Sequence, residues 1–180
     1  MTQTTVQYKE IVHQCREIFI KKNNDYGTSW RIARASSMTD QLFIKANRIK
    51  TLQETQTNMV GDSIEGEFGA IINYCIMAII QVRGNDNLPL ELNEEQSLKL
   101  YNEVANEAYE LMLKKNHDYG EAWRDMRITS ITDMILMKLL RVKQIENNDG
   151  KTIISEGIDS NYFDMFNYAV FALILLSESK

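Results

Sequence analysis

The stretch Lys114 to Trp123 (KKNHDYGEAW) repeats one met earlier as Lys21 to Trp30 (KKNNDYGTSW). Sliding Tyr8–Gln53 forward by 93 positions gives 18 identities in 46. The identities fall on charged, aromatic and glycine positions as well as apolar ones. A duplicated scaffold needs only its apolar pattern repeated, so the repeated polar words point to a site that was duplicated together with the fold.

The apolar spacing is helical throughout. Tyr8, Ile11, Val12, Cys15, Ile18 and Phe19 define a first helix over about Val6–Asn23, ended by Gly27 as a left-handed cap. Its twin spans Glu94–Asn116, opened by an Asn93/Gln96 capping box after a polar linker from Arg83 to Asn93. A second helix in each half is introduced by Ser37-Met-Thr39-Asp40 or Ser130-Ile-Thr132-Asp133, residues that read as caps. The third helices start near Asp62 and Ser155 and are apolar nearly all round, as befits central buried helices. No alternating strand pattern is present. The expected fold is all-α: two tandem three-helix repeats, 1–82 and 94–180, joined by a linker at 83–93 and packed about an internal pseudo-two-fold axis as one domain.

Totals narrow the function. A net charge of −5 speaks against a general grip on nucleic acid but leaves a free nucleotide open. Cys15 and Cys75 lack metal-type spacing and read as reduced thiols of a cytosolic protein. Apolar runs such as Ala169–Leu176 fall short of the roughly 18 residues that span a bilayer, and Met1–Gln7 does not resemble a signal peptide. Association of the pseudo-dimer into a true homodimer stays open.

Four groups can carry chemistry. Glu103, Glu107, Glu110 and Lys114 form one stripe on a helix, matched by Glu10, Gln14, Glu17 and Lys21; Glu17 and Glu110 lie nearest the repeated turn. Asp25 and Asp118 stand at helix C-termini, where the dipole disfavours an acid, beside Tyr26, Trp30, Tyr119 and Trp123, which can stack on a base or simply pack. Lys138 and Arg141, repeated as Lys45 and Arg48, are cations set in otherwise apolar helices, positions that call for carboxylates or phosphates; Arg34 and Arg127 can join them. Glu156, Asp159 and Asp164, followed by Asn167-Tyr168, are oxygen donors of the kind Mg²⁺ or Mn²⁺ prefers. Their first-half counterparts are Asp62, Glu65 and Asn73-Tyr74, with Ala70 in place of Asp164, so that half reads as weakened.

The ordered set KxxDYGxxW, a Lys–Arg pair three apart, and acids ending in DxxNYA (Asp164–Ala169) resembles the bacterial and phage family called nucleotide modification associated domain 1. More distantly it resembles the MazG-like all-α nucleotide pyrophosphohydrolases. The second resemblance implies Mg²⁺-dependent cleavage of a (deoxy)nucleoside triphosphate to monophosphate and pyrophosphate. Glu110, Glu156, Asp159 and Asp164 are then the catalytic acids, with Glu110, Asp159 and Asp164 as metal ligands. Lys138, Arg141 and Arg127 would bind phosphates, and Tyr119, Trp123 and Asn167 the base or sugar, with Lys114, Asn116, Asp118 and Tyr168 beside them. The spellings ExxE (Glu107–Glu110) and ExxD (Glu156–Asp159) are both present, but a whole helix separates them. Two rival readings are a nucleotide-binding module without turnover and a structural helical repeat in which Lys138 and Arg141 pair with Asp159 and Asp164.

Overall fold

Each half folds along the same path, and the computed structural model describes it over residues 2–84 and 88–179. The first half holds α1 (Gln3–Tyr26), α2 (Ala35–Thr55) and α3 (Ile64–Arg83); the second holds α4 (Glu94–Tyr119), α5 (Ile128–Asn147) and α6 (Ile158–Glu178). No strand occurs among the described residues. Part of the expected linker, residues 85–87, lies outside them.

Local chemistry sets the ends. Thr2 accepts the Thr5 N–H to open α1, Ser63 accepts that of Gly66 to open α3, and α4 begins with the full Asn93/Gln96 capping box. Gly120 ends α4 in the left-handed conformation, φ 63° and ψ 34°. Gly27, expected to do the same for α1, has φ 74° but ψ −164°, which sends the chain off in another direction. There the Glu91 carboxylate takes the Thr28 N–H at 2.7 Å, and a Cβ on residue 27 would fall 2.0 Å from that oxygen. Glycine is therefore favoured at 27 by its φ, and a side chain there would also push the Glu91 carboxylate off the Thr28 N–H.

The second helices begin earlier than their serines suggest. A 3-10 turn carrying the tryptophan (Ser29–Ile32, Ala122–Asp125) is followed by an extended pair, and the helix starts with Arg34 or Arg127 as N-cap. Thr39 and Thr132 consequently lie inside helices and are buried. Thr39 Oγ1 bonds the Glu146 carboxylate at 2.7 Å and the Tyr162 hydroxyl at 2.6 Å, while Thr132 Oγ1 donates to the Ile128 carbonyl.

The apolar helices α3 and α6 pack on each other at the centre, α2 covers α3, α5 covers α6, and α2 meets α5. One continuous apolar core runs through both halves. Among the described residues α3 alone is, by length and composition, long and apolar enough to cross a bilayer, yet 56% of that window is buried inside the bundle. The halves are also cross-bonded. Tyr8 of α1 donates to Asn167 Oδ1 of α6 at 2.7 Å, and its counterpart Tyr101 of α4 donates to Asn73 Oδ1 of α3 at 3.0 Å. Each amide then returns to its own half: Asn73 Nδ2 to the Cys15 carbonyl at 3.0 Å, Asn167 Nδ2 to that of Ala108 at 3.1 Å. All four side chains are buried.

Tyr8→Phe and Tyr101→Phe each leave a buried amide oxygen short of its donor, so each should lower stability by about 1–2 kcal/mol. The two effects should be nearly equal, as the pseudo-symmetry requires; urea unfolding of the single and double variants measures them.

Candidate functional site

In the second half, three elements bring cations and an acid together. Asp164, on α6 and only 7% exposed at its side chain, takes Lys138 of α5 at 2.6 Å and also Lys115 from near the end of α4. Lys138 thus meets the acid expected of it. Arg141, one turn along α5, is exposed and makes no ion pair among the described residues. Tyr168 stands one turn after Asp164; burial raises its phenol above the ordinary value and Asp164 adds to this, while Lys115 and Arg141 pull it down.

The first half solves the same problem with a different residue. Lys45 and Arg48 of α2 converge on Glu67 of α3 at 3.2 and 2.7 Å, and Arg48 also holds Asp62 at 2.9 Å. Glu67 is 3% exposed at its side chain. In the repeat alignment it corresponds to Asn161, and Asp164 to Ala70, so the buried acid sits one helical turn earlier on α3 than on α6. The sequence reading passed over Glu67. Its signal was there: an acid in the first turn of the most apolar helix, three residues before the alanine that lacks one.

The remaining acids do not join them. Asp159 and Asp164 are five residues apart, which places them roughly 140° apart around the helix. Asp159 is exposed, accepts the Ser160 N–H, and lies toward Arg83, whose guanidinium forks onto Glu107 with both contacts at 2.7 Å. Glu156 is exposed in the connection between α5 and α6 and accepts the Ser160 hydroxyl at 2.9 Å. Glu110 and Glu17 are exposed on α4 and α1. Among the described residues no three or more His, Cys, Asp or Glu side chains gather where they could hold a metal ion, and Asp164 is engaged by two lysines. As arranged, the expected ligands Glu110, Asp159 and Asp164 do not fit one Mg²⁺ or Mn²⁺.

The other expected contacts divide in two. Asn167, expected to contact a base or sugar, and its first-half counterpart Asn73 spend their amides on the cross-bonds of the core. Asp25, Asp118 and Lys114 are exposed, with Asp118 3.0 Å from His117, and Arg34 and Arg127 are exposed N-caps. Tyr26 and Tyr119 are well exposed beside the repeated glycines. Trp123 is buried and donates to Asn116 Oδ1 at 3.2 Å, whereas Trp30 is partly exposed and Glu65 partly buried along a groove of the first half. The cysteines are buried, and burial pushes the Cys15 thiol up to about 12, which leaves it a poor nucleophile.

Beside the second-half cluster lies an open groove of about 1010 Å³ between α5 and the 148–156 connection. Lys138, Arg141 and Lys151 line it, and so do Glu156 and Asn161. Residues 22–82 and 115–176 each match the model of the family described as nucleotide modification associated domain 1. The chain belongs to this family. Both matches begin at the equivalent lysines, Lys22 and Lys115, and run into α3 and α6, so each family repeat contains its Lys–Arg pair and its buried acid. No curated protein and no solved structure matches the chain, and the resemblance to MazG-like enzymes therefore rests on the sequence words alone.

Asp164→Asn should cost about 2–4 kcal/mol, because two cations then face a neutral amide in a largely buried place. Lys138→Met should cost less, since Lys115 still reaches the acid, and the double variant should fall short of the sum by about 1–3 kcal/mol. Chemical denaturation of the double-mutant cycle checks this; additive losses would show that the pair is not coupled.

Proposed function

We propose that the protein binds a nucleotide, gripping its phosphate end in the second half, in the groove bordered by Lys138, Arg141 and Lys151. One observation carries this reading: the two repeats balance their charges differently. In the first, Lys45 and Arg48 face Glu67 and Asp62, two cations against two acids. In the second, Asp164 is taken up by Lys115 and Lys138, and Arg141, the counterpart of Arg48, has no ion pair among the described residues. Arg141 borders an open groove with Lys151, which likewise forms no ion pair among the described residues. Cations in that state favour a polyanion, and the forked guanidinium suits phosphate oxygens. A free nucleotide accords with the family's description and with the acidic net charge, which offers little to a nucleic-acid backbone.

The finer reading is Mg²⁺-dependent hydrolysis of a nucleoside triphosphate to monophosphate and pyrophosphate. Glu156 and Asn161 also line the groove, where a metal carried in on the triphosphate would meet them. The acids do not form a metal cage by themselves, so this activity depends on the ligand bringing its own cation. In that event Arg141 and Lys151 hold the phosphates and Lys138 stays with Asp164.

Titration calorimetry with the common nucleoside triphosphates should show binding in EDTA, weakened about tenfold or more by Arg141→Ala. The same mixtures, given Mg²⁺ or Mn²⁺ and assayed for pyrophosphate, decide turnover. Release that requires metal establishes the hydrolase, and binding without release establishes a nucleotide-binding module. Failure of every triphosphate to bind would overturn both.

A further inference from the structure

We propose that the first half carries a separate slot for a nucleobase, stacked on Trp30. The groove there, about 640 Å³, lies between α1, α2 and α3, and its walls include Phe19, Tyr26, Trp30 and Tyr74. It shares no lining residue with the phosphate groove and is argued independently of it.

The second half shows what belongs in such a place. There Phe171 lies flat on Trp123, ring centroids 4.2 Å apart and planes within 3°, and Phe163 is buried two turns earlier on α6. The corresponding first-half residues are Met77 and Gly69, with Ala70 in place of Asp164 and Gly66 in place of Ser160. Every one of these four differences along α3 removes a ring, a polar branch or a side chain from the same region. All four of the smaller residues line the groove. The second half stacks Phe171 flat on its tryptophan; in the first, Phe19 meets Trp30 only at a tilt, ring centroids 6.1 Å apart, and Arg31 lies 5.9 Å from the ring centre, so among the described residues no ring lies flat on Trp30.

The polar groups define that ring further. Trp123 Nε1 is satisfied by Asn116 Oδ1 at 3.2 Å. Its counterpart Trp30 Nε1 has no hydrogen-bond partner although the atom is buried, and neither has the Nδ2 of Asn23, the counterpart of Asn116. Both residues line the groove. Two buried donors without acceptors, beside a partly exposed tryptophan, match a flat heterocycle that carries carbonyl oxygens or unprotonated ring nitrogens at its edge, which is the chemistry of a nucleobase. Lys22, at the rim, corresponds to Lys115 but has alanine where Lys115 has its acid, so it is placed to meet a phosphate attached to the base.

The chain has two tryptophans, so Trp123→Phe makes Trp30 the sole reporter and Trp30→Phe isolates Trp123. Titration with the four deoxynucleosides and with uridine, all free of phosphate, should quench Trp30 saturably with at least one of them. Trp123, covered by Phe171, should stay unquenched. Met77→Phe reproduces the second half's own stacked pair and should weaken binding at least tenfold without lowering the melting temperature. Calorimetry of the unaltered chain against Met77→Phe repeats the comparison without the reporter changes, in case Trp123→Phe unfolds the protein. The slot is disproved if no nucleoside binds the unaltered chain, or if Met77→Phe binds as tightly as its parent. Because nucleosides lack phosphate, these outcomes stand whether or not triphosphates bind the second half.

Discussion

A buried amide with no partner is costly, and this bundle contains two that are satisfied only when both halves are in place. Asn167 needs the hydroxyl of Tyr8 from the other half and the carbonyl of Ala108 from its own, and Asn73 needs Tyr101 and Cys15 in the same way. Neither half can leave without stranding both amides. The same bonds fix α1 over α3 and α4 over α6, and so set the width of the gap between them. Arg124 adds a peripheral tie, reaching Thr4 and Gln7 of α1 and Glu178 of α6 from the 3-10 turn of the second half.

Within this frame each repeat keeps one buried carboxylate under its cations but places it differently. A residue on the third helix one turn earlier still faces the second helix, so Glu67 and Asp164 can each neutralise the lysine that the repeats share. Removing either acid strands cations, which accounts for the presence of one acid in each half but not for its position. The position has consequences. Glu67 lies nearer Arg48 and, with Asp62, gives both cations of α2 an ion pair, whereas Asp164 lies nearer Lys115 and leaves Arg141 outside the pair.

Much of this was legible from the sequence because the repeat supplied an internal comparison. The six helices, the capping box at Asn93, and the meeting of Lys138 with Asp164 follow from apolar period, local capping chemistry and the cost of an unpaired cation in apolar surroundings. Two kinds of statement did not follow. Asn73 and Asn167 are polar residues in apolar helices, and sequence cannot say whether such a residue faces a ligand or a tyrosine from the other half. Glu67 was missed because aligned columns direct attention to the alanine at 70, while the compensating acid stands in another column on the same helical face. Asp159 was grouped with Asp164 by nearness in sequence, although five residues turn it to a different side.

The shift of the acid and the opening of the first-half groove are one event seen from two sides. With the charge of α3 supplied from position 67, position 70 no longer needs a carboxylate, and alanine there removes both the acid that would hold Lys22 and the bulk that would close the floor. Gly69 and Met77 then extend the space that Phe163 and Phe171 occupy on the other side of the pseudo-axis. In the second half the acid stays at 164, the aromatic rings seal the tryptophan, and the cations left over face the groove beside α5. A duplicated scaffold that neutralises the same lysine from two different turns therefore ends with one half open to a ring and the other cationic.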